Sequence, residues 1–314
     1  MAKPSIALAL GSGAARGWAH IGVIDALLEA GIKPDIVCGT SMGALVGSVY
    51  ASGRLEALRD WAMGADWRSV AAMVDVGLLG GGLVDGVHIV KWLTSMGLPE
   101  NIEDLKLPFT AVATDISTGR EIWLQSGPLA TAVRASIGMP GVFSPTKIDG
   151  RWLSDGGLVN PVPVSVCRAM GADFIIAVNL NEDLLGRRLV IEPNVRPDEA
   201  EQAGEAAKPE GILALIASIP ASVREQMSSL NFFGAGSSAP GYFDVLTNAI
   251  DIMQDHITRS RLAGEPPHAM VAPRVAEIGL MDFHRAAESI AAGRAAVEQI
   301  LPVIEVKLNG RSRL

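Results

Sequence analysis

The feature that most constrains this chain is a strand–turn–helix unit met twice within its first 51 residues, without the two copies sharing sequence. Ile6 to Leu10 is a short, continuous apolar run that reads as a buried strand. A glycine-rich turn, Gly11 to Gly17, leads from it into Trp18 to Ala30, where Ile21, Ile24, Leu27 and Leu28 fall at helical spacing. Gly31 ends that helix. Ile36 to Cys38 gives a second buried strand, Gly39-Thr40-Ser41-Met42-Gly43 a second turn, and Ala44 to Ala51 a second helix. Strands joined by a helical crossover run parallel, and a parallel sheet needs helices to cover its faces. The class implied is α/β with a mainly parallel central sheet.

Further strands are expected at Phe109 to Thr114, Ile122 to Gln125, around Trp152, at Ile175 to Leu180 and at Ala269 to Ala272. Helices are expected at Leu129 to Ser136, Val164 to Met170, Tyr242 to Leu262 and His284 to Lys307. Between Glu192 and Gly211 the composition turns to Pro, Glu and Ala, with acids outnumbering Arg196 and Lys208, which reads as a solvated excursion. Regular patterns resume beyond it. Residues 184–240 are therefore read as an insertion within one domain of 1–314, not as a boundary between two. Inside that insertion Ile212 to Phe233 is strongly apolar, interrupted by Pro220. Such a segment can cover a cleft, lie in a bilayer interface, or pack on the core or a second subunit.

Charge and cysteine usage narrow the partners. The formal net charge is −8, and no run of Lys or Arg tracks a face, which argues against a nucleic-acid backbone as ligand. Cys38 and Cys167 each sit in an apolar run and make no disulfide framework, as suits a reducing cytoplasm. The apolar run at the N-terminus breaks at Gly11, too short for a signal-peptide core, and no stretch reaches the ~20 apolar residues of a spanning helix. The expected location is the cytoplasm, with a membrane surface as a site of contact.

Gly39-Thr40-Ser41-Met42-Gly43 fits G-x-S-x-G between an expected strand and an expected helix, where the pattern has mechanical meaning. A strained turn there lifts the serine clear of the sheet, and its glycines let neighbouring backbone approach. The helix that follows points its positive end at the serine oxygen. With 34 glycines in 314 residues the bare pattern arises easily by chance, so the strand and helix around it carry the argument. The earlier turn, Gly11-Ser12-Gly13-Ala14-Ala15-Arg16-Gly17, is a poor dinucleotide fingerprint. Arg16 stands at the third glycine's place, and no acid for a ribose ends the next strand. What remains is a loop of N–H groups at a helix start, one parallel strand from Ser41, suited to holding an oxyanion. Two bases are open for a Ser41 nucleophile. His256, His268 and His284 lie downstream without supporting motifs; Asp155 stands on the Gly156-Gly157 turn after a strand-like Arg151-Trp152-Leu153-Ser154.

Taken together, Gly11 to Gly17, Gly39 to Gly43 and Asp155 to Gly157 resemble the patatin-like phospholipases, specifically the bacterial branch related to neuropathy target esterase. The resemblance extends to Arg134-Ala-Ser-Ile-Gly-Met-Pro-Gly-Val-Phe-Ser-Pro145 and to Asp282-Phe-His-Arg, and leaves out only about residues 184 to 240. It implies a patatin-like three-layer α/β/α fold and a Ser41–Asp155 dyad. It further implies an oxyanion hole at Gly13, Ala14 and Ala15, with Gly11, Arg16, Gly17, Gly39, Gly43 and Gly156 in support. Arg16 would anchor the loop or hold an anionic headgroup, with a structural salt bridge as an equal alternative. The implied activity is hydrolysis of a carboxylic lipid ester through an acyl-enzyme, without metal or cofactor. Where the family has three successive glycines this chain reads Ser12-Gly13-Ala14, so any left-handed position is expected at Gly11 or Gly13. Two other readings stay open: a Ser–Asp–His esterase, and a protein of this fold that acts through a partner.

Overall fold

A computed structural model of the chain describes residues 4–66, 68–69, 72–73, 75, 84–184 and 242–311. Apart from Leu184, the expected insertion, including Ile212 to Phe233, lies outside the described residues.

The sheet has eight strands: β1 (Ile6–Leu10), β2 (Ile36–Thr40), β3 (Phe109–Asp115), β4 (Arg120–Leu124), β5 (Thr146–Ile148), β6 (Arg151–Asp155), β7 (Phe174–Val178) and β8 (Ala269–Val271). β1 lies between β2 and β7, with β3 beyond β2 and β8 beyond β7, all parallel. Its side chains divide by the period-two rule. Ile6, Leu8 and Leu10 enter the larger core, and Ala7 and Ala9 enter a smaller one with Cys38, Val164 and Cys167. The larger core is closed by α1 (Ala19–Glu29), α2 (Met42–Ser52), α3 (Leu55–Gly64), α4 (Val87–Ser95), α5 (Leu129–Ser136) and α8 (Ala286–Arg311). α6 (Val164–Ala169) covers the other face, together with Leu262 near the end of α7 (Tyr242–Gly264). This is the mainly parallel, three-layer architecture expected from sequence.

α1 and α8 cross with backbone nearly touching. A methyl at Gly22 would collide with the Ile290 carbonyl, and one at Gly293 with the Ala19 carbonyl. α3 and α4 are additional to the helices expected above, although Leu55, Leu58 and Trp61 in α3 and Ile89, Trp92 and Leu93 in α4 fall at helical spacing.

The register around β3 positions the chemistry. Ala111 pairs with Gly39 on one side and Leu124 on the other, while Ala113 pairs with Asp155 and Ile122. β4 therefore flanks one side of β3, and β2 and β6 share the other, meeting nearly end to end. β2 arrives from below and ends at Thr40, opposite Val112; the antiparallel β6 arrives from above and ends at Asp155, opposite Ala113. The residues that follow Thr40 and close β6 are thus brought together by strand pairing alone, across 114 positions of sequence.

Candidate active site

Ser41 is the N-cap of α2 and takes φ 56°, ψ −125°, a backbone state that a residue with a Cβ rarely adopts. Close packing over-determines it. A methyl at Gly39 would strike the Gly43 carbonyl, and one at Gly43 would strike the Leu10 carbonyl, so β1, β2 and the start of α2 interlock without side chains between them. Ser136, at the end of α5, completes the clamp: its hydroxyl accepts the Ser41 N–H at 2.9 Å and donates to the Val112 carbonyl at 2.6 Å. Ser136 lies in the stretch from Arg134 to Pro145, but no local pattern marks a serine whose partner is 95 residues away. Ser136→Ala leaves the buried Ser41 N–H without its acceptor. A loss of about 1–3 kcal/mol in chemical denaturation is expected, and an undiminished unfolding midpoint would refute the clamp.

Asp155 is wholly enclosed. Its Oδ2 accepts the Ser41 Oγ–H at 2.6 Å, and its Oδ1 accepts the Gly157 N–H at 2.7 Å. Burial pushes its carboxyl up from 3.8 to about 6, against the downward pull of those two hydrogen bonds. Gly156 is packed so that a methyl would meet the Val112 carbonyl, which keeps the turn tight against β3.

The glycine-rich loop is fixed from several sides. Gly11 N–H donates to the Val178 carbonyl at 3.1 Å, and Ser12 N–H to the Pro161 carbonyl at 2.9 Å. His20 hydrogen-bonds the Gly11 carbonyl through Nε2 at 2.8 Å; burial lowers its pKa to about 4, so the ring is neutral and Nε2 carries the donated proton. Two expectations need correction. The left-handed residue is Ala14, at φ 47°, not Gly11 or Gly13; the loop must turn there into the 3-10 segment Ala14–Trp18 that precedes α1. Ala15 leaves the oxyanion set, because its N–H donates to the Leu280 carbonyl at 3.1 Å. Among the described residues the amides of Gly13 and Ala14 meet no acceptor. Arg16 is completely buried; its Nε donates to the Gly13 carbonyl at 3.1 Å, and its Nη2 pairs with Asp251 Oδ1 at 3.0 Å. Of the roles left open for Arg16, this geometry combines a structural salt bridge with a loop anchor. Gly17 lets the 3-10 segment lie on Met42, whose side chain a methyl would strike.

Ser41, Asp155, Gly13 and Ala14 open onto one apolar cavity. Trp18, Trp61 and Trp92 wall it in series, with ring centroids 6.0 and 4.7 Å apart, and Leu45, Ile89 and Phe143 add aliphatic and aromatic surface. No described histidine lines it. His268 sits instead beside β7, accepting the Ile175 N–H at Nδ1 and stacked on Phe174, and His256 is exposed on α7. Among the described residues no three His, Cys, Asp or Glu side chains gather to hold a metal, and no helix is long and apolar enough to cross a membrane. Cys38 and Cys167 are buried free thiols.

Residues 8–168 match the family model described as patatin-like phospholipase. An uncharacterized NTE family protein of Mycobacterium bovis is 36% identical over 341 residues, covering 97% of this chain and 93% of its own length. Patatin-like phospholipase domain-containing protein 6 of Mus musculus is 36% identical over 183 residues, which are 56% of this chain and 13% of that protein. The crystal structure of VipD from Legionella pneumophila aligns over 96% of this chain and 67% of its own, with TM-score 0.48 and 14% identity.

Proposed function

Starting from the fact that this chain belongs to the patatin-like phospholipase family, we propose that it is a lipid acyl hydrolase working through a Ser41–Asp155 dyad. One observation carries the reading: a strained serine hydroxyl donates at 2.6 Å to a buried carboxylate on the wall of an apolar cavity. A carboxylate raised to about 6 is ionised at neutral pH yet basic enough to take a hydroxyl proton. As Ser41 Oγ bonds to the ester carbonyl carbon, its proton passes to Asp155 Oδ2. The carbonyl π pair moves onto oxygen, where the Gly13 and Ala14 amides and the positive start of α2 stabilise it. Collapse expels the alcohol, which takes the proton from Asp155. Water then attacks the acyl-enzyme along the same path, giving its proton to Asp155 while the acid is released and Ser41 regains its own.

The catalytic unit is a single domain, and the acyl chain lies along the tryptophan wall. A fluorophosphonate probe followed by peptide mapping tests the nucleophile: the adduct belongs on Ser41, and one elsewhere would refute the dyad. The cavity predicts the substrate. Each methylene taken into it contributes about 0.8 kcal/mol, close to fourfold, so kcat/KM for monomeric p-nitrophenyl esters should climb steeply with acyl length before levelling. A flat series would remove the cavity from substrate binding.

A further inference from the structure

α7 faces the site with two side chains one turn apart, Asp251 and Gln254. Asp251 holds Arg16 and so the glycine-rich loop. Gln254, 7% exposed, has its carboxamide oxygen fixed twice: Oε1 accepts from Ser12 Oγ at 2.7 Å and from Asn181 Nδ2 at 3.1 Å, both on buried residues. That double acceptance turns Nε2 the other way, against the Asp155 turn. A methyl at Gly157 would collide with Gln254 Nε2 and stand 3.0 Å from Asp155 Oδ1, so glycine at 157 keeps open the space between amide and carboxylate. Gln254 borders the same cavity as Ser41 and Asp155, and among the described residues its Nε2 meets no acceptor. Nε2 therefore lies at the cavity wall with its N–H groups free to donate to an oxygen that arrives there.

We propose that Gln254 is a catalytic residue, whose Nε2 donates to the oxygen that exchanges its proton with Asp155: the leaving alcohol in acylation and the attacking water in deacylation. The inference rests on the Ser–Asp reading. Attack and departure follow one path in opposite directions, so a single donor beside Asp155 serves both oxygens. In deacylation the water oxygen, held by Nε2–H, bonds to the acyl carbon while one of its protons goes to Asp155 Oδ2. The carbonyl pair moves to oxygen, and collapse releases Ser41 Oγ, which takes that proton back. Gln254 keeps its own protons throughout and supplies orientation, directing a lone pair of the water at the acyl carbon.

The test uses the full chain and a soluble p-nitrophenyl ester, whose phenolate leaves without protonation, so water attack is the one step that needs the seated oxygen. Gln254→Glu keeps the acceptor for Ser12 and Asn181 and loses the donor; Gln254→Leu loses both. Both should label with a fluorophosphonate within about twofold of wild type and retain their acylation burst. Steady-state turnover should fall about tenfold or more, with acyl-Ser41 accumulating in intact-mass spectra. In Gln254→Glu the second carboxylate should also move the acid limb of the pH profile upward, a shift absent in Gln254→Leu. Unchanged deacylation in folded variants, or equal loss of labelling, burst and turnover, would overturn the role. A wild-type chain that neither labels nor turns over would overturn the dyad itself, and this inference with it.

Discussion

Ser41→Ala should hydrolyse a soluble ester about 10⁴–10⁶-fold more slowly than wild type while folding normally, since it removes the atom that bonds to the acyl carbon and leaves the cavity and amides in place. Stability should separate cleanly from activity. At φ 56° the elbow strains any residue with a Cβ, so Ser41→Gly should lose turnover to the same degree yet unfold at an equal or higher denaturant midpoint. Steady-state kinetics on both variants, with circular dichroism for the fold, decide the matter. Residual ester hydrolysis within tenfold of wild type, in protein free of contaminating esterase, would remove Ser41 as nucleophile.

Asp155→Asn should slow turnover by about 10²–10⁴, because the amide can hold Ser41 and Gly157 but accepts no proton. In the wild type kcat/KM should rise with pH through a midpoint near 6 and fall about tenfold per unit below it. Stability should run the opposite way. The folded carboxyl titrates near 6 and the ordinary value is 3.8, so between these values the folded state binds more protons than the unfolded, and wild-type stability declines as pH rises through that window. A shift of that size on a wholly buried group is worth about 3 kcal/mol. The stability of Asp155→Asn relative to wild type should therefore increase by about that amount between pH 4 and pH 8. Denaturant midpoints at the two pH values measure it. A constant difference would mean that burial does not raise the carboxyl, and a pH-independent wild-type rate would take proton acceptance away from Asp155.

Much of this could be read in the sequence. The alternation of short apolar runs with helical spacing dictated a parallel sheet, because a crossover helix leaves consecutive strands no other orientation. The two glycine-rich turns fell where such a sheet ends its strands, so Ser41 stood out from local pattern, whereas Asp155 was set apart from the downstream histidines by the family resemblance. Local pattern, however, describes only neighbours within a few residues. Ser136 under the elbow, Asp251 against Arg16, the Leu280 carbonyl that takes the Ala15 N–H, and Gln254 beside Gly157 all act from far along the chain. Ala14 shows the same limit from the other side. Glycine is preferred at positive φ, but packing of the loop against β7 and the segment before α8 decided which residue would carry it, and a penalty of roughly 1–2 kcal/mol is small beside those contacts. The sequence by itself determined the mainly parallel α/β class and picked out Ser41 and Asp155 as candidates, since the class follows from local periodicity and the candidates from motifs at strand ends. Only the tertiary structure decided which amides are left to an oxyanion and which distant side chains close the site, because hydrogen-bond donors are allotted by three-dimensional proximity, of which periodicity carries no record.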